Sequence, residues 1–142
     1  MNFNLVDAVK SNIVSNELSV SDITVCICIR ASEITPWIIQ RLVFTLGFYD
    51  PSPNFMIVDF GSKEPYSEKI REICKSFDSE LVYVSDYGEF SSSKARNIGF
   101  KNSKTEFILF SDVDFVYERD FFERLTSLSS KLELKSNPMK II

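Results

Sequence analysis

The chain has 142 residues, 44% of them apolar and 13% aromatic, which suits one globular domain with a buried core and excludes a disordered tail. Its formal charge of −4, with Lys and Arg scattered along the chain, excludes a face built to neutralise a phosphate backbone, so nucleic acid is not an expected partner. Histidine is absent, which removes Ser-His-Asp and Cys-His catalysis and histidine-ligated zinc, and leaves carboxylates, Arg, Lys and hydroxyls to carry any chemistry.

Residues 1–22 read as an appendage: Phe3, Val6, Val9 and Ile13 fall at helical spacing, and Ser15 to Asp22 is a polar linker. Ile23 to Ile29 is a continuous apolar, β-branched run, the pattern of a strand buried on both faces of a parallel sheet. Thr35 is placed to cap a helix opened by Pro36, with Trp37, Ile38, Arg41, Leu42, Thr45 and Leu46 as its inner stripe. Phe55 to Val58 is a second strand, and Asp59-Phe60-Gly61-Ser62 reads as the loop at its carboxyl end. Pro65 opens a second helix with Ile70, Ile73, Cys74 and Phe77 on one side. Leu81 to Val84 is a third strand, Ser85 to Ser93 a polar loop around Gly88, and a helix from about Ser92 turns Ala95, Ile98 and Gly99 inward. Phe107 to Phe110 is a fourth strand that runs into Ser111-Asp112-Val113-Asp114, followed by an amphipathic helix marked by Phe121, Phe122, Leu125, Leu128 and Leu132. Acids after Asp114, namely Glu118, Asp120 and Glu123, are assigned to the solvent face of that helix. Met139 to Ile142 resembles a strand just beginning, which reads as a truncated chain.

Alternating strands and helices predict an α/β layered fold with parallel strands, right-handed crossovers and ligands at the carboxyl ends of the strands. An incomplete sheet would leave an exposed edge open to self-association. Cys26, Cys28 and Cys74 are an odd number and read as buried small apolar residues of a reduced, cytoplasmic protein. No stretch has the roughly 20 apolar residues that a membrane span needs, and the first ten residues lack the pattern of a signal peptide.

Asp112 and Asp114 stand two apart at the end of a hydrophobic strand, so in extended geometry both carboxylates project to one side. Their mutual repulsion is relieved by a hard divalent cation, and Mg or Mn held by one or two carboxylates plus phosphate oxygens is the usual arrangement around a diphosphate. The pair alone is a weak signal, whereas its position at the ligand edge of a sheet strengthens it.

Three motifs together carry a resemblance. Ser92-Ser93-Lys94-Ala95-Arg96-Asn97-Ile98-Gly99-Phe100, then Phe107 to Asp114, is similar to family 2 glycosyltransferases, in which an Ala-Arg-Asn-x-Gly helix precedes a strand ending in Asp-x-Asp. Phe55 to Ser62 looks like the family's second strand with its Asp-Asp-Gly-Ser loop, and the resemblance runs from about Ile23 to Leu125. It implies a GT-A layered fold over residues 23–142 and an inverting transfer from a nucleotide-sugar, a UDP-sugar in the first instance, to a glycan or lipid-linked glycan acceptor. Bacterial surface polysaccharide synthesis is the commonest setting of such enzymes.

By position, the resemblance implies that Asp114 binds the Mn or Mg ion directly, that Asp112 meets the ribose or the metal's water shell, and that Arg96 and Lys94 lie near the nucleotide; the other reading of Arg96 is a surface helix arginine paired with a nearby acid. Asn97 has two open readings, functional or structural within its helix. Phe60 replaces the acid that commonly reads the uracil edge; Asp59 either takes over that contact or caps the turn. At the end of the first strand Arg30-Ala31-Ser32 replaces the usual small and aromatic residues of the family, and Arg30 meets a phosphate or an acidic sugar or forms a structural ion pair. The catalytic base is expected beyond Asp114, outside this chain, so the isolated chain is expected to be inactive. Two other readings compete: a non-catalytic or vestigial nucleotide-sugar-binding module, and a phosphotransfer receiver domain, which would need acids after Ile29 where Arg30-Ala31 stand.

Overall fold

A computed structural model describes residues 18–85 and 88–132. The helical pattern at Phe3 to Ile13 and the strand-like end at Met139 to Ile142 lie outside those residues. The described chain enters through Leu18, which is buried, and a 3-10 turn over Val20–Asp22 that Ser19 caps with its side chain. Four strands follow, β1 (Ile23–Ile29), β2 (Asn54–Phe60), β3 (Glu80–Val84) and β4 (Phe107–Ser111), with helices α1 (Trp37–Phe48), α2 (Tyr66–Ser76), α3 (Ser92–Asn102) and α4 (Phe121–Leu132).

All strand pairs are parallel and the order is β3-β2-β1-β4. The α/β expectation holds. Strands added outward from β1 to β3 and then, from the other side of β1, at β4 create a topological switch between β1 and β4, the kind of point at which open α/β sheets bind ligands.

The period of two along each strand divides the core. On one face Val25, Ile27, Ile29, Phe55, Ile57, Phe107 and Leu109 pack with Leu42 and Leu46 of α1, Ile70 of α2 and Phe122 of α4. On the other, Cys26, Met56, Val58, Phe60, Val84 and Ile108 pack under Ala95 of α3. Gly99 sets how close α3 comes. A Cβ built there would lie 2.3 Å from Cys26 Sγ and 3.4 Å from a Val58 methyl, so the helix rests on the sheet where a side chain is missing.

Several local expectations are corrected. Asp59 and Phe60 belong to β2, not to a loop, because Phe60 is fully buried on the α3 face and its backbone pairs in register with Val84. Trp37 and Arg41 are exposed, and the buried stripe of α1 is Ile38, Leu42, Thr45 and Leu46. Thr35 does not cap α1: its hydroxyl accepts from the Ser32 N–H at 3.0 Å, and Pro36, preset at φ −65°, starts the helix without a side-chain cap. Glu118 and Asp120 precede α4, where Asp120 pairs with Arg124 at 3.0 Å and Glu118 pairs with the same guanidinium. Phe77 and Leu128 are exposed, not inward, and Cys28 is half-buried.

Candidate functional site

Carboxyl ends of the four strands meet on one edge of the sheet, and the chain there builds two adjoining regions. The first spans β1 and β2. The Ala31 N–H donates to Ser62 Oγ at 2.8 Å, and the Ser62 N–H donates to Asp59 Oδ1 at 2.9 Å, so one serine ties the two strand ends together. Arg30 adds a second tie: its Nε donates to the Phe60 carbonyl at 2.5 Å, an Nη donates to the Gly88 carbonyl, and the guanidinium stands 5.6 Å from the centre of the Phe60 ring. Gly88 has φ +86°, a left-handed conformation natural to glycine. Between these ties lies a cleft of about 530 Å³ whose lining includes Arg30, Ser32, Glu33, Gly61, Lys63 and Tyr66.

Asp59 is 1% exposed, and its Oδ2 has no hydrogen-bond partner among the described residues. Burial raises its pKa above the ordinary carboxylate value, while Ser62, Arg30 and Arg71 pull it back. Beneath it the Cys74 thiol is pushed up to about 11, by burial first and then by the Asp59 charge.

The second region lies at the switch point. β4 ends at Ser111, and the Phe115 N–H donates to the Asp112 carbonyl at 3.1 Å, closing a turn over residues 112–115. Asp112 and Asp114 therefore flank Val113 on a turn and do not extend the strand. Val113 is 7% exposed and faces the core, and the Thr45 hydroxyl of α1 donates to its carbonyl at 3.1 Å. Anchoring the middle residue inward leaves both acids exposed. Arg96, from α3, approaches Asp112 with Nη2 3.9 Å from Oδ1 and lies 5.9 Å from the centre of the Phe110 ring. At 49% and 76% exposure these partners are a loose pair in high dielectric, available to a ligand. Cys28 reaches the same corner from β1; the thiol of Cys26 hydrogen-bonds to it and Arg96 lies near, and both lower its pKa.

Among the sequence-derived candidates, Arg96 and Asp112 come together, Asp114 shares their turn, and Arg30 and Asp59 occupy the neighbouring strand ends. Lys94 lies apart, in a shallow groove on α3 with Asn97, Lys101 and Ile98 above Phe60. Thr45, Ser62 and Tyr49 were missed as residues that shape this edge. A hydroxyl inside the apolar stripe of α1 was the available signal for Thr45, whereas its partner 68 residues away was not legible. As a metal site the turn supplies two exposed carboxylates, and no group of three or more His, Cys, Asp or Glu side chains is gathered among the described residues. Such an oxygen-only, incomplete set fits Mg or Mn completed by diphosphate oxygens and water, and does not fit a closed zinc site.

A family model described as "Glycosyltransferase like family 2" matches residues 24–142. The chain belongs to this family. No curated protein sequence matches it. Among solved structures, this family member is similar to Staphylococcus aureus TarS residues 1–349, with TM-score 0.62 and 18% identity over 77% of this chain and 32% of that one. It is similar to the same protein in complex with UDP-GlcNAc, with TM-score 0.60 and 18% identity over 77% and 31%. It is similar also to the mannosyltransferase PcManGT of Pyrobaculum calidifontis in complex with GDP-Man and Mn2+, with TM-score 0.58 and 14% identity over 87% and 41%. These likenesses establish a shared GT-A fold; the chain spans between about a third and two fifths of those structures. No helix among the described residues is long and apolar enough to cross a membrane.

Proposed function

We propose that this chain forms the donor-binding part of an inverting, metal-dependent glycosyltransferase that moves a sugar from a UDP-sugar to a glycan or lipid-linked glycan acceptor. The observation that carries the reading is the meeting of Arg96 and Asp112 across the switch point, on the turn that also bears Asp114. Ligands of open α/β sheets bind at such a point. In this reading Asp114 and Asp112 hold a Mn or Mg ion whose chemistry is to neutralise charge on the departing diphosphate. Asp112 exchanges its loose Arg96 partner for ribose or metal-bound water, and Arg96 then faces the diphosphate. Lys94 adds positive charge on the approach along α3.

The cleft between the ends of β1 and β2 takes the nucleoside. Arg30 contributes its aromatic and carbonyl ties as the wall of that cleft. Asp59 is buried behind that wall with an oxygen that has no hydrogen-bond partner among the described residues, and in this reading the strand ends must part for it to meet the base. UDP-GlcNAc in one structural relative and GDP-Man with Mn2+ in another support a nucleotide-sugar and a divalent cation as the ligands. Inverting geometry requires a carboxylate base on the acceptor side, which belongs to chain beyond Asp114 in this reading. The setting we propose is bacterial surface polysaccharide synthesis, in the cytoplasm or at the inner face of the membrane. β3 and β4 each pair on one side only among the described residues, which supports self-association through a sheet edge.

Calorimetric titration of UDP and of GDP, with and without Mn, tests the reading on the intact chain and on Asp114→Ala. The expected outcome is UDP binding that Mn strengthens, with that gain reduced about 10-fold or more in the variant, equivalent to about 1.4 kcal/mol. Binding of neither nucleotide by the intact chain would sink it. Mn-strengthened binding of GDP alone would replace the UDP-sugar assignment with a GDP-sugar.

A further inference from the structure

We infer that Thr45 is a positioning residue for the Asp112–Asp114 turn, acting from α1 through the Val113 carbonyl. The inference rests on the proposed metal and diphosphate role of that turn.

A threonine inside a helix ordinarily returns its hydroxyl to a carbonyl of its own preceding turn. Thr45 is 3% exposed, and instead its hydroxyl crosses to the Val113 carbonyl at 3.1 Å. Because β4 ends at Ser111, that carbonyl lies past the strand ladder, and the hydroxyl satisfies a buried acceptor that would otherwise be left without a partner. Two further contacts from the end of α1 hold the chain that follows. The Tyr117 N–H donates to the phenol oxygen of Tyr49 at 3.0 Å, and the Asp50 N–H donates to the Arg119 carbonyl at 3.1 Å. Arg119 also lies 5.5 Å from the centre of the Phe48 ring. The end of α1 is thus a cradle for residues 113–119, and Thr45 is the member that reaches the residue between the two acids. Among the described residues neither acid's carboxylate has a buried hydrogen bond, so the spacing of the two is inherited from the backbone that Thr45 holds.

A purely structural Thr45 would affect melting and nothing else, so the test reads the turn itself. Three full-length chains are compared well below their unfolding temperatures: the parent, Thr45→Val, which keeps the shape and loses the hydroxyl, and Thr45→Ser, which keeps the hydroxyl. The expected result in Thr45→Val is exchange of the Phe115 amide hydrogen faster by about 10-fold, with the Val25 and Ile27 amides of β1 unchanged. The Mn-dependent part of UDP affinity falls about 5-fold or more, UDP affinity without Mn stays the same, and Thr45→Ser restores both readouts. A lowered melting temperature with unchanged Phe115 exchange and an unchanged Mn-dependent gain would overturn the inference while leaving the donor-site reading intact. If the parent itself shows no Mn-dependent gain, the donor-site reading fails and this inference fails with it.

Discussion

The two ends of the sheet are built on opposite principles. At the amino edge polar side chains are satisfied locally: the Thr24 and Thr105 hydroxyls lie 2.6 Å apart, Thr105 donates to the Phe107 carbonyl at 2.8 Å, and the Asn54 amide donates to the Ser21 and Ile23 carbonyls at 2.8 and 3.3 Å. At the carboxyl edge the ties hold backbone, through Ser62, Arg30 and Thr45, while among the described residues Asp59 Oδ2 lacks a partner and Asp112 has only a distant one. One end closes hydrogen bonds, and the other fixes a scaffold and leaves its acids open. A buried acceptor without a partner costs stability, which a fold carries where a ligand is to be met.

The largest effect on this comparison is expected from Gly99→Ala. The added methyl meets Cys26 Sγ, so α3 must lift and the carboxyl edge loses the seat of Arg96. A loss of about 1–3 kcal/mol in denaturant unfolding is expected, and Cys26→Ala in the same chain should recover part of it. Loss of the same size in both backgrounds would show that the close approach is not the cause. Next, Asn54→Ala removes two hydrogen bonds from the amino edge and should lower stability by about 1 kcal/mol with unchanged nucleotide affinity. Any change in UDP binding would break the separation of the two ends.

The smallest effect concerns charge. Burial lifts the folded pKa of Asp59 above its ordinary value of 3.8, so the folded chain holds that proton more tightly than the unfolded chain does. Its contribution is therefore most favourable below 3.8, is lost as pH rises toward the raised folded value, and is constant beyond it. Asp59→Asn keeps an oxygen for the Ser62 N–H and removes the titration, so the difference in melting temperature between variant and parent should widen in the variant's favour across that window. A difference independent of pH would mean that the folded and unfolded values coincide.

Much of the fold was legible because its signals are local. The β-branched run of β1, the alternation of strands with amphipathic helices, and the order of three motifs led to a parallel α/β sheet with its polar loops on one edge. Errors arose where distant chain decides local structure. Phe60 looked like part of a loop because Gly61 and Ser62 follow it, yet pairing with β3 and burial under α3 extend the strand. The two acids looked extended because a strand precedes them, yet a turn and an inward Val113 set them. Ties such as Thr45 to Val113 or Tyr49 to Tyr117 join residues 68 positions apart, beyond any periodicity in the sequence.

The position of β4 has a consequence for how this chain comes into being. β1 to β3 can pair in the order in which a ribosome delivers them, each new strand beside the last. β4 instead returns to the free side of β1, so among the described strands the longest loop closure comes last. Until that return, the nascent sheet presents an open side of β1 and has no switch point. In the proposed function, the donor site would thus form only in the step that also covers this side of β1.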